Sequence, residues 1–135
     1  MKSEYAAAIV ASLELAAERG GDLTEAVYAR LFAQQPEMLP LFVMDTDGSV
    51  RGEMLARVFD AILDFIGERR YAHRLIEAEA MNHEGYNVPR TVFVTFFDMV
   101  AETVRDACGP GWTETMGQAW AQMLSEMSAY VRLPA

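Results

Sequence analysis

Between Pro89 and the Gly109-Pro110-Gly111 break, apolar side chains fall at Val92, Phe93, Phe96, Phe97, Val100 and Val104. Spacing by threes and fours gathers all six on one side of an α-helix but scatters them over both faces of a strand. The opening "TVFVTFF" (Thr91 to Phe97) reads as a strand if cut out. The same period continues towards Cys108, which is too long for one. A helix with so wide an apolar stripe must be covered by other elements, and this constrains the fold more than any other feature.

The rest of the chain supplies helices to cover it. Ile9, Leu13 and Ala17 recur every fourth residue in a segment from Ser3 to Arg19, which stops at Gly20-Gly21. Asp22 is placed to cap the next segment, with Glu25 three residues on as in a capping box. That segment's core face is Leu23, Val27 and Leu31, with Tyr28 and Phe32 one step round. Pro36 opens a short helical turn before Phe42. From Val50 to Gly67 the stripe is Met54, Leu55, Val58, Phe59, Ile62, Leu63 and Ile66. A further helix runs from Tyr71 to His83 and ends at Gly85, and Pro89 suits the first turn of the apolar one. The last helix carries Met116, Trp120, Met123, Leu124 and Met127. No repeat or linker interrupts the pattern. The expectation is one all-α domain over residues 1–135, with six or so helices.

Composition narrows the function. Acidic residues outnumber basic ones to a net charge of −9, which disfavours nucleic acid and anionic membrane as partners. Cys108 is the one cysteine, so no internal disulfide forms and a reducing compartment fits. No apolar run reaches the length of a membrane span and no signal-type pattern opens the chain, so the expected location is cytoplasmic. "DTDGS" (Asp45 to Ser49) departs from a calcium loop after Asp47, where Arg51 and Glu53 follow. His73 and His83 with one cysteine support no zinc cluster. Asp60 and Asp64, or Glu77 and Glu79, read as solvated helix faces, and no phosphate loop is present.

What remains is a helical bundle rich in methionine and phenylalanine, with an imidazole at a helix end. Such an imidazole is an exposed terminal residue, a cap, or an axial ligand. The last needs little else, because a porphyrin brings four nitrogens of its own.

Three stretches read in order decide among these: "VYARLFAQQPEMLPLF" (Val27 to Phe42), "HEGYNV" (His83 to Val88) and "GPGWTETMGQAW" (Gly109 to Trp120). Together they resemble the globin family, most closely bacterial single-domain haemoglobins and the globin part of flavohaemoglobins, from about Tyr5 to Val131. The resemblance implies a globin fold of six to eight helices around haem (iron-protoporphyrin IX). It makes His83 the iron ligand, with its other ring nitrogen donating to a carbonyl near Glu79 or Ala80. It makes Phe42 the aromatic stacked on the ring, with Val88, Phe93, Phe97 and Met54 as further haem contacts. Tyr28 takes the distal tyrosine position and Leu55 the distal apolar one. Arg51 takes the place of the distal Gln or His, or else pairs with a propionate. A one-residue shift hands that slot to Val50 or Met54. Trp112 and Trp120 are structural, Cys108 is an inert helix-end thiol, and His73 faces solvent or a propionate.

The implied function is reversible binding of a diatomic gas, with oxygen first and NO or CO besides, by a monomer or homodimer that is not itself an enzyme. A haem-based sensor acting through a signalling partner, and nitric oxide dioxygenation with a separate reductase, are the rival implications. Against the second, Phe93 stands where the family's proximal tyrosine is expected and no proximal glutamate is evident. A neutral, apolar proximal side is therefore expected.

Overall fold

The computed structural model describes residues 2–131. Among the described residues there are six α-helices and two short 3₁₀ turns, and no strand. The helices are α1 (Ser3–Gly20), α2 (Thr24–Gln34), α3 (Ser49–Ile66), α4 (Ala72–Gly85), α5 (Arg90–Cys108) and α6 (Glu114–Ser128); a 3₁₀ turn, Pro36–Phe42, links α2 to the loop before α3. The architecture is all-α, as the periodicity requires. None of the helices is long and apolar enough to cross a membrane, among the described residues.

The apolar stripe of α5 explains the arrangement. It is wide enough to touch every layer, and α5 packs on α1, α2, α4 and α6. Val100 and Val104 are fully buried, as are Ile9 of α1 and Met123 of α6. Where α1, α5 and α6 meet, polar groups are buried only in pairs. Trp120 Nε1 donates to Ser12 Oγ at 2.9 Å, Ser12 Oγ donates to the Ile9 carbonyl at 2.7 Å, and Cys108 Sγ donates to the Ser12 carbonyl at 3.3 Å. Burial raises the thiol's pKa, only partly opposed by Arg19, so Cys108 stays protonated and chemically quiet.

The corners hold three departures from simple pattern reading. Asp22 is not the cap of α2: Leu23 holds that position without a side-chain bond, and Asp22, one residue earlier, accepts through Oδ1 from the Thr24 amide at 2.9 Å and the Thr24 hydroxyl at 2.6 Å. Asp64 is not on an idle face. Its carboxylate accepts from the amides of Arg70, Tyr71 and Ala72 at 3.1, 3.0 and 2.8 Å, tying the end of α3 to the start of α4. Phe65, absent from the expected stripe, is buried while Leu63 is 46% exposed. Helix α3 is therefore rotated relative to the face its sequence suggests.

The end of α4 is set by Asn87 rather than Gly85. Asn87 adopts φ 66°, a left-handed conformation that Asn tolerates well. The Val88 amide then reaches back five residues to the His83 carbonyl at 2.9 Å, the long bond of a Schellman ending. The turn that frees the chain for Pro89 is thus anchored on His83 itself.

A histidine-walled apolar cavity

Helices α2 to α5 do not close on one another. They leave a cavity of about 450 Å³, ordinary for a small-molecule or cofactor site. Each wall follows from a helical stripe. Helix α2 contributes Tyr28 and Leu31, and the 3₁₀ turn and following loop contribute Met38, Leu41, Phe42, Met44 and Asp45. Helix α3 offers Val50, Met54, Arg57, Val58 and Ala61, and α4 offers Leu75, Ile76, Glu79 and His83. Tyr86 and Val88 of the following turn, then Val92, Phe93, Phe96 and Phe97 of α5, complete it.

His83 sits on this wall with one ring nitrogen committed. Its Nδ1 lies 2.7 Å from the Glu79 carbonyl, so the proton belongs on Nδ1 and the lone pair on Nε2. Phe93 packs against the ring, with centroids 5.2 Å apart, and Phe93 in turn meets Phe97 edge-on at 5.6 Å. An imidazole held this way presents a ready metal donor.

Tyr28 is the other marked group. Its ring is wedged among Phe42 at 5.4 Å, Phe96 at 5.5 Å and Phe32 at 6.1 Å. Its hydroxyl is buried and has no hydrogen-bond partner among the described residues. Burial pushes the phenol pKa far above its ordinary value, with Arg51 opposing and Asp45 reinforcing. The group is a neutral donor with nothing to donate to, an arrangement that costs about 1–3 kcal/mol unless a ligand satisfies it.

The residues singled out from sequence divide cleanly. Tyr28, Phe42, Met54, Val88, Phe93, Phe97 and His83 all border the cavity. Arg51 and Leu55 do not border it. Leu55 is buried in the core, three residues beyond Gly52, where a Cβ would lie 3.9 Å from the Thr24 hydroxyl of α2. That face of α3 therefore turns towards α2. Arg51 is held away by Asp45: its Nε donates to Oδ2 at 2.9 Å, its own amide to the same oxygen at 3.0 Å, and its Nη2 to the Asp45 carbonyl at 3.2 Å. The Val50 amide takes Asp45 Oδ1 at 3.1 Å. Burial alone would raise the Asp45 carboxyl, but these bonds outweigh it and hold the group below its ordinary value. The cavity face is Val50, Met54 and Val58, one residue earlier than the Arg51 and Leu55 alignment.

Two other expectations change. His73 does not border the cavity and is half-buried: its Nδ1 has no partner among the described residues, and its ring lies 5.7 Å from Tyr130. The cation at the cavity rim is Arg57, which pairs with Glu53 at 3.4 Å. Its place four residues after Glu53 signals only an ordinary surface ion pair, so sequence offered no way to pick it out.

Fold and site together define a helical protein built around an apolar ligand pocket with an imidazole donor. The globin family model matches residues 25–131, and the chain belongs to the globin family, with the all-α globin fold. Haem binding, and gas binding through it, come with that membership as general properties. A curated protein described as uroporphyrinogen decarboxylase, from Hamiltonella defensa subsp. Acyrthosiphon pisum, is 31% identical over 102 residues, which cover 72% of this chain. The chain spans only 26% of that protein's length. No solved structure matches.

The residues present fit an iron porphyrin. The donor set is one imidazole with its tautomer fixed, the walls are largely aliphatic and aromatic, and Arg57 offers a rim cation for a carboxylate. The Tyr28 hydroxyl, unpartnered among the described residues, leaves a spare donor on a residue of the same wall.

Proposed function

We propose that the chain is a bacterial-type globin, of the kind found in bacterial haemoglobins and in the globin part of flavohaemoglobins, that reversibly binds a diatomic gas, oxygen first, at haem held by His83. Haem bound there would supply an iron with an open coordination position. The chain's own residues would do the rest. His83 supplies Nε2, while the Glu79 carbonyl fixes its ring. Phe42, Val88, Phe93 and Phe97 would exclude water and pack against the macrocycle, and Met54 and Val58 would supply the apolar wall on the α3 side. Tyr28 donates a hydrogen bond to a ligand that takes on partial negative charge.

The observation that carries this reading is that Tyr28, whose buried hydroxyl has no partner among the described residues, lines the same cavity as His83. A structural tyrosine would have found a bond or reached water. The test is addition of hemin to the purified chain and to His83→Ala. A Soret band that shifts under carbon monoxide in the first and is lost in the second is the expected result. An equal band in both would remove His83 from ligation.

One observation favours a second reading in which gas binding is passed to a partner. The loop beside the cavity mouth leaves Val43 67% and Met44 90% exposed, apolar surface suited to a reductase or signalling partner. Turnover of nitric oxide with a separate reductase would favour the enzymatic form of that reading.

A further inference from the structure

The proximal side is not neutral. Glu79 stands one turn before His83 on α4, and its carboxylate Oε2 lies 3.5 Å from His83 Nδ1, beside the carbonyl of the same residue at 2.7 Å. We propose that the Glu79 carboxylate is a positioning residue that makes His83 an electron-rich ligand, in place of the phenol that Phe93 cannot supply. The inference rests on His83 ligating haem, as proposed above.

The geometry gives the reason. In an α-helix the Glu79 carbonyl already accepts from the backbone amide four residues on, which is that of His83. The ring N–H therefore shares an acceptor that is partly used. The carboxylate is the second acceptor within reach, and a small change in a half-exposed side chain closes the remaining distance. Glu79 also borders the apolar cavity, where the local dielectric is below that of water and charge acts more strongly. The other side of the ring is covered by Phe93, which neither donates nor accepts. A full negative charge beside Nδ1–H stabilises positive charge on the imidazole, so the ring pushes electron density through Nε2. A carbonyl alone does this less. The carboxylate side chain keeps 35% of its surface exposed, so solvent screens part of the effect.

The experiment uses the full chain loaded with haem and compares Glu79→Gln, which keeps size and hydrogen bonding but removes charge, with Glu4→Gln. The latter makes the same charge change on α1. In the ferrous protein without gas, the iron–histidine stretching band should move to lower frequency in Glu79→Gln and stay in place in Glu4→Gln. At a fixed applied potential the ferrous to ferric ratio should rise about two- to fivefold in Glu79→Gln alone. A band and ratio unchanged in Glu79→Gln, or changed equally in both variants, would overturn the proposal while leaving the haem reading intact. A wild-type chain that takes up no haem would overturn both.

Discussion

The two halves of this bundle treat buried polar groups in opposite ways. Where α1, α5 and α6 meet, Ser12, Cys108 and Trp120 are buried and each has a partner. Where α2, α3, α4 and α5 face one another, Tyr28 is buried to the same degree and its hydroxyl has none among the described residues. The first half is complete as protein, and its helices pack side chain to side chain. The second keeps a cavity open with aromatic walls and a rim of exposed Met44 and Tyr86. One helix, α5, serves both halves. The difference teaches that stability is concentrated where nothing is left over, and function where something is.

The sharpest way to break this comparison is to empty the closed half. Trp120→Ala removes a buried ring and leaves Ser12 without its donor. It should destabilise the haem-free chain by about 3–5 kcal/mol, read by urea unfolding. A loss below about 1 kcal/mol would mean that the α1–α5–α6 contact is not the stable half.

In the open half the sign should reverse. Tyr28→Phe removes a hydroxyl that no group among the described residues satisfies, so the haem-free chain should be unchanged or more stable, by up to about 1–3 kcal/mol. The same change should speed oxygen release from the haem-bound chain roughly tenfold to over a hundredfold, measured by stopped flow. Carbon monoxide, which accepts less charge, should respond less. Destabilisation together with an unchanged oxygen off-rate would make Tyr28 an ordinary core residue.

The smallest effect concerns a corner of the open half, where Asp45 holds the start of α3. The folded Asp45 carboxyl titrates below its ordinary value of 3.8 because Arg51 and two amides bond its ionised form. A group depressed in this way contributes stability that is fully present above its unfolded pKa and is lost as pH falls through the lower folded one. Acid should therefore loosen the start of α3 below about pH 4. Asp45→Asn should be less stable at neutral pH and show a shallower decline on acidification. Parallel acid curves for the two proteins would remove Asp45 from the account.

Much of this was legible in the residues. The periods of α1, α3, α5 and α6, the Gly20-Gly21 stop, Pro36 and Pro89 located the helices to within a few positions. The resemblance to the globin family, rather than period or spacing, singled out His83, Tyr28 and Phe42, and it placed the acceptor of the His83 ring near Glu79 or Ala80, which the structure narrows to the Glu79 carbonyl. Other features could not be read this way. Asp64 looked idle because its partners are amides beyond the end of its own helix, and Arg57 looked like any surface cation. The Glu79 carboxylate looked solvated because a helical pattern reports which face a residue is on, not how near its side chain comes to another.

By itself the sequence determined that the chain must be helical, and to within a few positions where most of the helices lie, since spacing, proline and glycine act locally through backbone geometry. Only tertiary structure decided which face of α3 looks into the cavity. One residue is about 100° of helix rotation, and a turn of that size exchanges Arg51 and Leu55 for Val50 and Met54. That turn is set by Asp45 gripping the first amides of α3 and by α2 crossing at Gly52, contacts between separate segments that no period within α3 encodes.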